Sequence, residues 1–174
     1  MKEYFIIVSV IFLLFIVIFS KFEVTISNAL IVENNPFYGL SNDRIETVEA
    51  TTADNSIKVK LEYAPNATEI GSPEFFKAAL YYLGSNKPVL HADTDIVISK
   101  NGTELFKESN DFSRPFVHTP NGIILSSYKF PESGQYKISV KILGINFMPV
   151  NPQQVNFETH VTDSQDRYLI KIVN

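Results

Sequence analysis

The stretch His91-Ala92-Asp93-Thr94-Asp95 sets one imidazole and two carboxylates at alternate positions. In an extended strand alternate side chains leave the same face, so these three could act together. Imidazole with carboxylates suits a borderline divalent cation such as Zn²⁺ or Cu²⁺, and His118, from the Pro-rich loop 111–122, could complete the set. The competing reading is a solvated face on an edge strand, where charge blocks pairing with another chain. His160 falls out of phase with Phe157, Thr159 and Val161 and is expected to face water. Met148 is the only methionine past the first residue. One soft ligand does not make a Cu(I) carrier, so Met148 is expected to pack.

Composition excludes most other chemistry. The chain has no Cys, which removes disulfides, thiolate catalysis and thiolate metal sites. It holds no G-x-S-x-G elbow, H-E-x-x-H helix, P-loop or dinucleotide fingerprint, and its 7 Gly are sparse for phosphate-cradling loops. No enzyme class is indicated, and no cofactor beyond the copper or zinc just described. A formal charge of −4 leaves no electrostatic footprint for nucleic acid or for polybasic attraction to a membrane surface.

The elements that must position these residues read as strands. In "IKVKLEY", Ile57, Val59, Leu61 and Tyr63 alternate with Lys58, Lys60 and Glu62, the pattern of a half-buried strand. "DTDIVISKNGTELFKES" is a hairpin about Asn101-Gly102, a pair that tolerates positive φ at both turn positions. "GSPEFFKAALYYLG" (71–84) admits two readings. Ser72, Pro73 and Gly84 would cap and end a helix. Phe76, Ala78, Leu80 and Tyr82 would also share one face of a strand, and the strand is preferred because strands flank it. In all, roughly seven to nine short strands separated by turn residues imply an all-β sandwich over residues 45–162. The tail 163–174 is a candidate edge strand.

"PESGQYKISVKI" (131–142) sharpens that assignment. Gly134, then Tyr136, then strict alternation matches the strand that carries a core cysteine in immunoglobulin domains, with Ile138 at the cysteine position. Tyr136 is expected to pin the corner and Ile138 to fill the core. Together with "IKVKLEYAP", "EIGSPEFF", "KPVLHADTDIVISKNGTELF", "FPESGQYKISVKILGINFMPV" and "VNFETHV", the run from Ile57 to Val161 resembles immunoglobulin-like extracytoplasmic domains of membrane proteins from ammonia-oxidising archaea. It is distantly similar to periplasmic sandwich modules of the YtkA and FixH type. The resemblance spans roughly 105 of the 174 residues and implies a non-catalytic module on a membrane anchor. Such chains often end in a C-terminal membrane helix, which this tail is not.

An anchor is legible at the other end. Tyr4 to Phe19 is an uncharged, almost wholly apolar run, about 24 Å long as a helix and about 28 Å if extended to Phe22 with Lys21 snorkelling. Residues 1–22 therefore read as a retained transmembrane signal-anchor, the alternative being a cleaved signal peptide. Residues 23–44 read as a stalk. Flanking charges are balanced, so orientation rests on the β-rich domain and on two glycosylation sequons, at Asn66 and Asn101. The adjacent pairs Phe75-Phe76 and Tyr81-Tyr82, with Phe37, Tyr38, Phe112 and Phe116 in loops, leave aromatic surface for a partner unless stalk or tail covers it. The sequence thus predicts a single-pass protein of the cytoplasmic membrane whose C-terminal domain lies outside the cytoplasm. Its expected role is a binding or scaffolding accessory whose partners are the lipid bilayer and another membrane protein. The alternative is an extracytoplasmic divalent-metal module.

Overall fold

The computed structural model of the chain describes residues 45–63, 70–71, 73–162 and 170–173. The predicted anchor, the stalk and Asn66 lie outside these residues. No helix among the described residues is long and apolar enough to cross a membrane.

The described residues build an all-β sandwich. Its strands are β1 (Glu46–Thr51), β2 (Ile57–Tyr63), β3 (Pro73–Tyr82), β4 (Ala92–Lys100), β5 (Thr103–Lys107), β6 (Val117–Thr119), β7 (Ile123–Lys129), β8 (Gly134–Ile145), β9 (Met148–Val161) and β10 (Ile170–Val173). One short helix, α1 (Glu108–Asp111), follows β5. A four-stranded sheet runs β1-β2-β3-β7, and a six-stranded sheet runs β10-β9-β8-β4-β5 with β6 also on β4. The pairings are antiparallel.

Period-2 alternation explains the layers. Ile57, Val59, Leu61 and Tyr63 of β2 and Phe76, Ala78 and Leu80 of β3 face Ile96 and Ile98 of β4, Ile138, Val140 and Ile142 of β8, and Phe157 of β9 in one buried core. Segment 73–82 is a strand because its alternate apolar residues meet that core, with Phe76 opposite Tyr63 and Leu80 opposite Val59. Helix propensity at Ala78-Ala79-Leu80 yields to burial. The tail contributes β10, which lies at the sheet edge against β9.

Tyr136 is buried and its Oη donates to the Glu132 carbonyl at 2.8 Å, fixing the corner where β8 begins at Gly134. Phe130 packs edge-on against both Phe76 and Tyr136, with centroids 6.3 and 4.7 Å apart. Ile138 is fully buried, opposite Ile98 and Phe157. The Asn101-Gly102 turn has φ of 52° and 79°, as a two-residue hairpin with the twist of its strands requires.

Two stretches carry strand structure beyond the sequence expectation. β8 and β9 continue through "INFMPVNPQQ", joined at Asn146-Phe147. The loop 111–122 likewise contains β6, whose three residues pair with β4.

Glu108 of α1 is buried, and its Oε2 has no hydrogen-bond partner. Burial pushes its carboxyl above the usual glutamate range, the charges of Asp111 and Asp95 add to this, and Ser126 opposes it. A raised folded-state pKa stabilises the fold fully below the unfolded value, about 4.3, and that contribution disappears as pH rises through the folded value. Glu108→Gln is therefore expected to match wild type at pH 4 and to be about 1 kcal/mol more stable at pH 7. Urea unfolding at the two pH values measures this, and equal stabilities at pH 7 would refute it.

Candidate functional site

The two ends of the sandwich differ. The described chain comes in at Glu46, opposite Tyr63, which in turn pairs with Phe76. Phe130 ties Phe76 to Tyr136 at this same end. β8 starts there, so its far terminus and the β8–β9 turn project from the opposite, distal end.

At the distal end three rings gather. His91 and Phe147 have centroids 4.3 Å apart, His118 and Phe147 5.4 Å, and the two histidines 5.7 Å, all with planes within 30°. Asp93 Oδ1 lies 2.7 Å from His118 Nδ1, a contact that orients the imidazole. Register produces this pairing, because Asp93 stands opposite His118 on β6 and opposite Gly144 on β8. Against β4, β8 carries an extra residue at Leu143, while against β9 that one residue faces three, Val150 to Pro152. Such a bulge redirects the strand beyond it. A Cβ on Gly144 would lie 2.6 Å from Asp93 Oδ2, so the small residue is what lets the carboxylate seat against β8.

The turn itself is strained. Asn146 has φ of 51° and Phe147 φ of 64°, the conformation of a two-residue turn whose second position usually holds Gly. An aromatic residue there costs about 1–2 kcal/mol. His91, stacked beneath, also has positive φ, 47°, and its N–H donates to the Pro120 carbonyl at 3.1 Å. Phe147 nevertheless remains 68% exposed and Met148 66%. The ring is thus stacked against two imidazoles at some cost and left open to solvent.

The proposed metal ligands are divided among different roles. His91, Asp93 and His118 come together, but as a ring stack with one carboxylate contact. Asp95 shares the outer face of β4 with Asp93 but is fully buried and engaged elsewhere. It accepts from the Ser109 N–H at 3.1 Å and the Ser109 hydroxyl at 2.6 Å, with Lys107 Nζ at 3.5 Å. Such saturation is what makes a buried carboxylate tolerable. Among the described residues no three His, Cys, Asp or Glu side chains are grouped to hold a metal ion. β4 is also no edge strand: β8 flanks it on one side, β5 and β6 on the other.

Other candidates resolve individually. His160 is exposed, as its phase implied. Asn101 is exposed at its turn beside an open cleft of about 230 Å³ lined by Ser99, Gln135, Lys137 and Glu158. Met148 is not packed. Phe75 and Phe112 are exposed, whereas Tyr81, Tyr82 and Phe116 are half-buried; Phe37 and Tyr38 lie outside the described residues. The sequence reading missed Phe147. The available signal was the charge-free run from Ile142 to Phe157, which holds no Asp, Glu, Lys or Arg. No protein-family model matches the chain, and no curated protein matches its sequence.

Proposed function

We propose that this chain is an extracytoplasmic binding module tethered through its N-terminal segment, built on an immunoglobulin-like sandwich and serving as accessory to a larger membrane assembly. Two features support the immunoglobulin-like reading: the strand order β1-β2-β3-β7 against β9-β8-β4-β5, and the Tyr136 bond to the backbone four residues upstream. The tether is supported by the apolar run Tyr4 to Phe19. The observation that carries the binding role is Phe147, held at positive φ by His91 and His118 while most of its surface stays exposed. Strained, immobilised residues cluster at sites of recognition, and a pre-ordered aromatic binds with little entropic penalty.

The test is extraction of the full chain from its membranes in mild detergent. Stable co-migration with a second membrane protein through two chromatographic steps is expected. A chain that always migrates alone would sink the reading.

A further inference from the structure

We infer that the distal hairpin tip docks end-on into an uncharged, apolar pocket of another protein, with Phe147 as the inserted knob; this rests on the binding-module reading above. Three observations select that occupant. First, Ile142 to Phe157 carries no charged side chain, and its tip exposes Phe147 and Met148. Charge depletion with aromatic and methionine enrichment marks the core of protein interfaces, not their rims. Second, no Lys or Arg lies between Ile142 and Phe157, and the chain carries a formal charge of −4. An anionic bilayer surface would therefore gain no electrostatic attraction from the tip itself. Third, Pro149 and Pro152 lie in the part of β9 beyond its pairing with β10, which covers Asn156 to Thr159. No strand among the described residues pairs with that stretch on the β10 side, and prolines there prevent a partner strand from adding, leaving the tip as the element to be read.

The described cleft at Ser99, Gln135, Lys137 and Glu158 is polar and charged, so it does not offer a second copy of this chain as the receptacle. The His91–His118–Asp93 platform accounts for the rigidity of the knob: Asp93 fixes His118, and both imidazoles back the Phe147 ring. Fully desolvated aromatic anchors of this kind are where binding energy concentrates.

The experiment uses the full chain in its membranes, with a photo-crosslinking benzoylphenylalanine at position 147 or, as control, at position 137. Adducts from position 147 are expected on aliphatic or aromatic residues of one other protein, in equal yield at 0.1 and about 1 M NaCl, since uncharged contacts are not screened. In parallel, Phe147→Gly removes the ring while supplying the residue the turn favours. This variant is expected to keep its Tm within about 3 °C of wild type while retaining the partner about 25-fold less well. Adducts on lipid, on a second copy or on charged residues would overturn the inference. So would a folded Phe147→Gly variant that keeps the partner bound by wild type, and that result would leave the binding-module reading intact. If wild type itself holds no partner, both fall.

Discussion

Tyr136→Ala is expected to lower the unfolding free energy by about 4 kcal/mol, the range for truncating a large buried aromatic. Three contacts vanish together. The hydroxyl bond to the Glu132 carbonyl at 2.8 Å is lost. So is the edge-on packing on Phe130 at 4.7 Å. The third is Lys100 Nζ, 4.9 Å from the ring centroid, which also binds the Glu132 carboxylate at 2.6 Å and the Ser133 carbonyl at 2.8 Å. Tyr136→Phe removes only the first and is expected to cost about 1 kcal/mol. Urea unfolding of the full chain followed by circular dichroism separates ring from hydroxyl. A loss below about 1.5 kcal/mol for the alanine variant would show that the corner is held by something else.

The second large effect is expected at the distal end. Gly122 has φ of 70°, and a Cβ there would sit 2.2 Å from the Val89 carbonyl oxygen and 3.2 Å from its carbon. The obstacle is backbone that cannot easily retreat. Val89 N–H donates to the Leu80 carbonyl at 3.0 Å, and Leu80 N–H donates to the Gly122 carbonyl at 2.9 Å. Gly122→Ala should therefore destabilise by about 3 kcal/mol, combining overpacking with the left-handed conformation. Because residues 89–91 lead directly to His91, it should also loosen the support under Phe147. Gly84→Ala is the control: φ is 86°, but nothing lies within 4 Å of the added carbon. Its cost should stay near 1 kcal/mol, the conformational part alone. Equal losses for the two variants would show that the clash at Val89 is relieved by local movement.

These two glycines show where sequence reasoning stops. Pro120-Asn121-Gly122 announces a turn, but only the fold shows a carbonyl from another loop within contact of the missing side chain. The contrast recurs at Asp93 and Asp95. Their shared face on β4 follows from spacing, while their separation into a His118 contact and a Ser109 contact follows from what crosses above them. The hairpin at Asn101-Gly102 was legible because both residues suit positive φ. The one at Asn146-Phe147 was not, because phenylalanine stands where glycine is expected.

By itself the sequence determined whatever depends on neighbours along the chain. Alternation in "IKVKLEY" and "YKISVKI" set the strand faces, and Tyr136, whose partner is four residues away, declared the corner. The layering followed, since a strand apolar on one face must cover another like it. Tertiary structure alone decided register, and with it the site. Asp93 meets His118 across 25 residues, and a single extra residue at Leu143 redirects β8 so that Gly144 faces that carboxylate and Phe147 reaches the histidines. Pairings of that range depend on loop closure and competing registers. No local pattern of side chains encodes them.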